Sequence, residues 1–165
     1  MSAILNYDHA MITTDVVSWD QLPRQLSWKE KIAYLGVQFK RLPQQSECPV
    51  EHIFGHGKYI RHITIPARTL FLGRGHIHGH ECTLLSGSVI LITPTEKQVK
   101  HAVTTVHTTP GYHMVVYALT DVEAQTVHPN PTNSTNAETL EADIFESVDA
   151  LYQLGIKVEQ NLRLT

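Results

Sequence analysis

The chain has 165 residues, of which 42% are hydrophobic, and a formal net charge of −3. This length fits one domain with peripheral additions, and the apolar content excludes a wholly disordered chain. The 13 Lys and Arg are scattered along the chain, so the charge gives no reason to expect a nucleic-acid partner. No apolar stretch approaches the length of a membrane span, and the first residues lack the basic and apolar regions of a secretory signal. We therefore expect neither a membrane partner nor secretion.

The N-terminal part of the sequence predicts one helix. Residues 1–26 show no clear periodicity, and we interpret them as an N-terminal arm. Ser27 and Glu30 then have the spacing of a capping box, which marks a helix start. Apolar residues recur at helical spacing after this point until Pro43, so we predict a helix over 27–44.

Residues 45–130 have the pattern of an antiparallel sheet protein. Short runs rich in Val, Ile, Thr and Tyr alternate with turn signals that contain Gly, Pro or Ser. This spacing is typical of a sandwich or barrel, and it leaves no room for the helical crossovers of a parallel sheet. We predict strands near residues 51–54, 58–65, 69–73, 78–85, 88–93, 97–101, 103–107, 113–119 and 122–128.

Residues 131–165 are predicted to form a loop, a C-terminal helix and a tail. The loop is polar and contains prolines, and the helix begins at about Ala137. Gly155 is a plausible C-terminal cap for this helix, and the tail beyond it is free to add an edge strand or to contact a partner. The apolar face of the helix would consist of Leu140, Ile144, Val148 and Leu151.

Three of the eleven histidines occupy alternate positions, His76, His78 and His80. In an extended strand such residues share one face of the sheet, so the three imidazoles would converge. Neutral imidazole is the commonest metal-binding side chain, and the pattern therefore predicts a site for a divalent metal ion. The alternative interpretation is a row of solvated histidines at a strand edge.

The segment from His76 to His80, followed by Gly87, resembles the first motif of the cupin family, in which a strand supplies two His and a Glu before a glycine. His80 stands where the Glu is usual, and Arg74 stands at the first His position. Pro110-Gly111-Tyr112-His113 is similar to the second cupin motif.

The cupin resemblance implies His113 as a fourth metal ligand, although this residue is equally well explained as part of the barrel lining. A site of four imidazoles (His76, His78, His80 and His113) suits Zn, Fe, Ni or Cu without choosing among them. The resemblance also implies the fold: an all-β dominated, cupin-type antiparallel β-barrel or jelly roll, with one flanking helix on each side.

Further segments are similar to short cupin-like proteins that tailed bacteriophages encode. Their letters are ECPVEHIF at 47–54, YIR at 59–61, IPART at 65–69 and VHPNP at 127–131. The similarity runs from about residue 38 to 146. It implies a location in the host cytoplasm during infection or in the virion, with other virion proteins as partners. The cupin resemblance implies a homodimer as the alternative, because cupins commonly pair through edge strands and an open sheet edge needs covering.

Two further residues near this region have their own interpretations. His128 precedes a proline and is predicted to be a structural anchor that hydrogen-bonds the following loop. Arg74 lies beside the histidines and could hold an anionic group.

These observations support more than one class of function. The first is a phage-type cupin that serves as a metal-binding structural or accessory module. The second is a metal-dependent enzyme for a small molecule, an isomerase or a dioxygenase of cupin type, which would need an open coordination position. A third is a metal-free barrel whose histidines bind a small ligand directly.

Overall fold

The computed structural model describes residues 9–12, 25–41 and 46–164. The N-terminal strand was not predicted, and the predicted helix end at Pro43 lies outside the described residues. The elements in chain order are β1 His9–Ile12, α1 Trp28–Lys40, β2 Val50–Gly55, β3 Lys58–Ile65, β4 Thr69–Leu72, β5 Glu81–Ser86, β6 Ser88–Ile92, β7 Lys97–His101, β8 Thr104–His107, β9 Val115–Ala118, β10 Val122–Pro129, α2 Ala137–Ile144 and α3 Val148–Arg163.

The strands form two antiparallel sheets of five strands each within the described residues. The strand orders are β1-β4-β9-β6-β7 and β2-β3-β10-β5-β8. Strands distant in sequence are neighbours, since β3 pairs with β10 and β4 pairs with β9. The eight strands from β3 to β10 therefore have the strand order of a jelly roll, the architecture to which cupins belong. The predicted cupin-type jelly-roll fold is confirmed.

Helix α1 begins as the capping box predicts. The Ser27 side chain accepts a hydrogen bond from the Glu30 backbone, and the Glu30 carboxylate accepts one from the Ser27 backbone. The helix then buries one face against β4 and β9 of the first sheet. The residues of this outer core are Ile32, Leu35, Phe39, Leu70, Leu72, Ile92, Val115 and Tyr117.

A second apolar cluster lies between the two sheets. Strands β4 and β9 are buried along their whole length because the first sheet is covered on both faces, by α1 and by the second sheet. This explains why they are continuous apolar runs rather than alternating ones. The inner cluster comprises Cys48, Ile65, Phe71, Leu84, Val89, Leu91, Val116, Ala118 and Val122.

The C-terminal region contains two helices where one was predicted. A break at Phe145 separates α2 from α3, and Phe145 itself is only 4% exposed. Helix α3 continues to Arg163, so the predicted cap at Gly155 is wrong and the tail is helical in the described residues. None of the helices in the described ranges is long and apolar enough to cross a membrane.

Candidate ligand-binding site

The histidine-rich segment is a loop in the structure, not a strand. Strand β5 begins only at Glu81, so the prediction that three imidazoles alternate on one strand face is wrong. The loop instead bonds to other parts of the chain: Ile77 N donates to Ile144 O at 2.8 Å. A Cβ atom at Gly79 would lie 2.7 Å from Thr108 O. The glycine therefore allows the loop to pass close to that carbonyl, and His78 is left exposed.

Two of the predicted histidines lie together with a third that strand β10 supplies. The ring centroids of His76 and His80 are 3.7 Å apart, and those of His76 and His128 are 5.4 Å apart with nearly parallel planes. The rings of His80 and His128 are separated by 5.3 Å. We call His76, His80 and His128 the histidine cluster.

Burial keeps the histidine cluster neutral. Burial, followed by the proximity of the other two imidazoles, lowers the pKa of His76 to about 2. Burial, followed by the proximity of His80 and of the Arg61 guanidinium, lowers the pKa of His128 to about 3. Burial also lowers the pKa of His80. Each ring therefore offers one N–H donor and one lone pair near pH 7.

One buried nitrogen of the cluster has no hydrogen-bond partner. His80 Nδ1 lies 2.9 Å from Thr108 Oγ1, and His128 Nε2 lies 2.9 Å from Thr126 Oγ1. His76 Nε2 is buried and has no hydrogen-bond partner. An unpartnered buried nitrogen of this kind costs free energy, which a ligand that donates a hydrogen bond would recover.

The fourth predicted ligand, His113, has a different environment. Its Nδ1 lies 3.2 Å from Gly73 O, and its Nε2 lies 3.4 Å from a carboxylate oxygen of Glu146. Trp28 Nε1 donates to His113 O at 3.1 Å, which places this residue beside α1. His113 is 1% exposed and joins the first sheet to α1 and to the α2–α3 junction.

Two of the four predicted metal ligands, His76 and His80, are in contact with each other. Among the described residues, no group of three or more His, Cys, Asp or Glu side chains is arranged to hold a metal ion. His78 is exposed and His113 faces Glu146, so the donor set as arranged does not fit a tetrahedral site. The four-histidine ligand set stays a prediction.

Two residues of the histidine cluster, His76 and His80, line a cavity of about 100 Å³ between the two sheets. Most of the wall is apolar, and the Cys82 side chain contributes to it, as the parity of its strand predicts. Burial raises the pKa of Cys82 to about 11, so this residue is a neutral thiol. The other apolar residues of the wall include Ile63, Phe71, Leu84, Leu91, Met114 and Val122.

Two arginines, Arg61 and Arg74, line the same cavity. Both guanidinium groups lie over the Phe145 ring. The guanidinium carbon is 3.8 Å from the ring centroid for Arg74 and 4.7 Å for Arg61. The His76 ring contacts Phe145 as well, at 4.5 Å between centroids. We call Arg61 and Arg74 the arginine pair, and their shared contact with Phe145 places them beside His76 of the histidine cluster.

The sequence pattern was not recognised as placing Arg61 and His128 at this site, although it indicates that both residues face inward. In β3, Tyr59 and Ile65 share one parity with Arg61, which marks the arginine as inward-facing. In β10, His128 has the parity of the buried Val122. A charged or titratable residue at an inward position of a strand is the pattern that would have found them.

Comparisons with known proteins add little to this geometry. Neither a protein-family model nor a curated protein matches the chain. Solved structures with a similar shape include an acetylacetone dioxygenase from Acinetobacter johnsonii, at 11% identity and a TM-score of 0.42. The similarity covers 50% of this chain and 59% of the dioxygenase, so it spans less than two thirds of that protein.

Two further solved structures are cupins by description. An RmlC-like cupin with a double-stranded β-helix fold from Methanocaldococcus jannaschii has 16% identity and a TM-score of 0.43, over 52% of this chain and 84% of that one. A cupin-2 domain protein from Shewanella frigidimarina has 9% identity and a TM-score of 0.41, over 64% and 95%. The fold assignment rests on the strand order of the two sheets rather than on these similarities.

Proposed function

We propose that the protein is a binding module that holds a small organic molecule in the jelly-roll cavity. The observation that carries this proposal is the composition of the cavity wall, which is mostly apolar and includes a few polar side chains, among them the arginine pair, His76 and His80. Ligand pockets generally have this composition, with few polar groups that fix the orientation of the ligand. An apolar cavity of about 150 Å³ is known to accept benzene, so a cavity of about 100 Å³ is in the range of a molecule with a single small ring.

The histidine cluster supports direct binding of a polar group. His76 Nε2 is a buried lone pair without a partner, and it belongs to a residue that lines the cavity. A hydroxyl or N–H group of a bound molecule would supply the missing donor.

Calorimetric titration with phenol tests the proposal. We expect saturable binding to the wild type and its loss in Ala124→Leu, because Ala124 lines the cavity and a larger side chain would fill it. Thr105→Leu places the same new side chain at an exposed position of β8 and should leave binding unchanged. Absence of saturable binding to the wild type, with phenol and with toluene, would overturn the proposal.

A metal-binding module is the second candidate. The observation in its favour is the contact between His76 and His80, whose centroids lie 3.7 Å apart while His76 Nε2 makes no hydrogen bond. Binding would require the rings to turn from their described arrangement. The metal-dependent enzyme considered from the sequence depends on the same metal and shares its test.

Elemental mass spectrometry of protein purified without an affinity tag tests the metal candidate. About one transition-metal ion per chain, lost in both His76→Ala and His80→Ala, is the expected result for a metal site. Loss in His78→Ala and His113→Ala as well would support the four-histidine set. A metal content below about a tenth of an equivalent after reconstitution would exclude this candidate.

We also propose a role in a bacteriophage, as a virion protein or as an accessory protein. This part of the proposal rests on the sequence resemblance. Mass spectrometry of purified particles from the source would find a virion protein in a fixed copy number. Its absence from particles would leave only the accessory role during infection.

A further inference from the structure

Glu141 of α2 contacts the arginine pair. Its Oε1 atom accepts from Arg61 Nε at 3.2 Å, and its Oε2 atom accepts from Arg74 Nη1 at 3.4 Å. The Tyr59 hydroxyl donates to Oε1 at 3.4 Å. A carboxylate of the protein itself thus lies against two guanidinium groups that also line the cavity.

These bonds are long for charged partners. Charge-assisted hydrogen bonds between a guanidinium and a carboxylate usually measure about 2.7–2.9 Å and are often bidentate. Glu141 instead spreads its two oxygens over two arginines at 3.2 and 3.4 Å. The guanidinium groups are buried, with the Arg61 and Arg74 side chains only 9% and 10% exposed. A carboxylate free to choose its position would bind them better.

Few buried side chains hold the helix that contains Glu141 against the rest of the protein. Helix α2 has eight residues, and Leu140 is its one buried residue. Isolated helices shorter than about 12–15 residues are marginal in water, so α2 depends on the contacts of Leu140, Glu141 and the following Phe145. Displacement of the Glu141 side chain therefore disturbs a small element and leaves the two sheets intact.

We propose that the arginine pair is the binding site for the carboxylate of a small organic acid, and that Glu141 is an internal carboxylate which that acid displaces. This inference rests on the proposed function, because the apolar body of the acid would lie in the cavity. It assigns a chemical class to the ligand: a monocarboxylic acid with an apolar body of about the size of one ring.

Calorimetric titration with benzoate and with benzamide, its neutral analogue, tests the inference. We expect the wild type to prefer benzoate, and Glu141→Gln to tighten benzoate binding about tenfold or more, because the competing charge is removed. Glu141→Gln and the wild type should bind benzamide with the same affinity. The matched control is Glu138→Gln, an identical substitution at an exposed position of α2, which should bind both compounds as the wild type does.

Hydrogen exchange provides a readout that does not depend on a variant. Benzoate should speed amide exchange in residues 137–144 of the wild type and leave exchange in β4 and β9 unchanged. Should Glu141→Gln fail to fold, restoration of its cooperative melting by benzoate but not by benzamide would support the inference equally.

The outcomes separate this inference from the function on which it rests. Equal affinity of the wild type for benzoate and benzamide, with no gain for benzoate in Glu141→Gln, would overturn the carboxylate site and leave the binding module intact. Binding of neither compound, nor of phenol, would overturn both.

Discussion

At the residue scale, Gly155 sets how closely two helices approach. A Cβ atom at this position would lie 2.3 Å from Ala33 O and 2.6 Å from Val37 Cγ2. The nearest obstacle is backbone, which cannot rotate away as the end of a flexible side chain does. The glycine lies within α3 because α1 occupies the space that its side chain would need.

We predict that Gly155→Ala destabilises the protein, by about 1–3 kcal/mol, because the overlap forces the helices apart. Alanine would otherwise favour a helix interior by about 1 kcal/mol. Urea denaturation measures the difference. Gln153→Ala, on an exposed position of the same helix, is the control and should be close to neutral. An increase in stability for Gly155→Ala would show that the crossing is looser than described.

The histidines show what residue patterns can and cannot predict. Alternation at His76, His78 and His80 has the period of a strand, yet a loop with glycines can have the same spacing. The sequence pointed to the right segment because imidazoles are rarely so dense. It could not predict the contact with His128, since that depends on which strands pair.

At the element scale, the strands were predicted well and the helix break was not. Turn residues bound the strands and alternation fixes their faces, so β2 to β10 match the predicted ranges to within three residues. The break between α2 and α3 escaped prediction because Ile144 and Val148 keep helical spacing across it. The break depends on tertiary contacts, among them those of Phe145 with the arginine pair and with His76, which the sequence does not show.

Helix α3 also contacts α1 through a charged pair, which predicts a pH dependence. The Arg41 guanidinium, followed by a hydrogen bond from Gln38, lowers the pKa of Glu159 from its ordinary value of 4.5 to about 2. A carboxylate with a lowered folded-state pKa contributes stability above its unfolded pKa, and this stability is lost as the pH falls. The contribution should therefore be complete above about pH 4.5 and disappear towards pH 2.

Thermal melts at several pH values check this prediction. Glu159→Gln should lower the melting temperature at pH 7, and its difference from the wild type should shrink as the pH falls from 5 to 3. The contribution is small because the pair lies near solvent. Glu138→Gln, which removes an exposed carboxylate of α2, should show no such trend. A constant difference across the whole range would mean that Glu159 acts through packing alone.

At the scale of the whole molecule, the edges of the sheets suggest where a second copy would bind. In the described residues, β7 is the last strand of the first sheet, and its Val99 is 55% exposed. Val103, just beyond β7, is 74% exposed. Unpaired strand edges with apolar side chains favour pairing with another chain, so we expect the predicted homodimer to form through β7.

Light scattering after size-exclusion chromatography tests the predicted dimer. Val99→Lys combined with Val103→Lys should convert a dimer into a monomer, because charged residues at an edge oppose strand pairing. Ile53→Lys changes an exposed apolar residue of β2, at the edge of the other sheet, and should leave the dimer intact. A wild-type mass equal to one chain at every concentration would contradict the prediction.

The position of α1 on the outer face of β4 and β9 has a consequence for how far the chain can be shortened. Strands that are apolar on both sides need cover on both sides, and α1 supplies one of these covers. A protein trimmed to begin at residue 46 would keep the strands β2 to β10, yet expose Leu70, Leu72 and Tyr117 to water. We expect such a fragment to self-associate when expressed alone and to become soluble when a peptide of residues 25–41 is added. Helix α1 therefore covers a sheet face that the barrel cannot leave exposed to water.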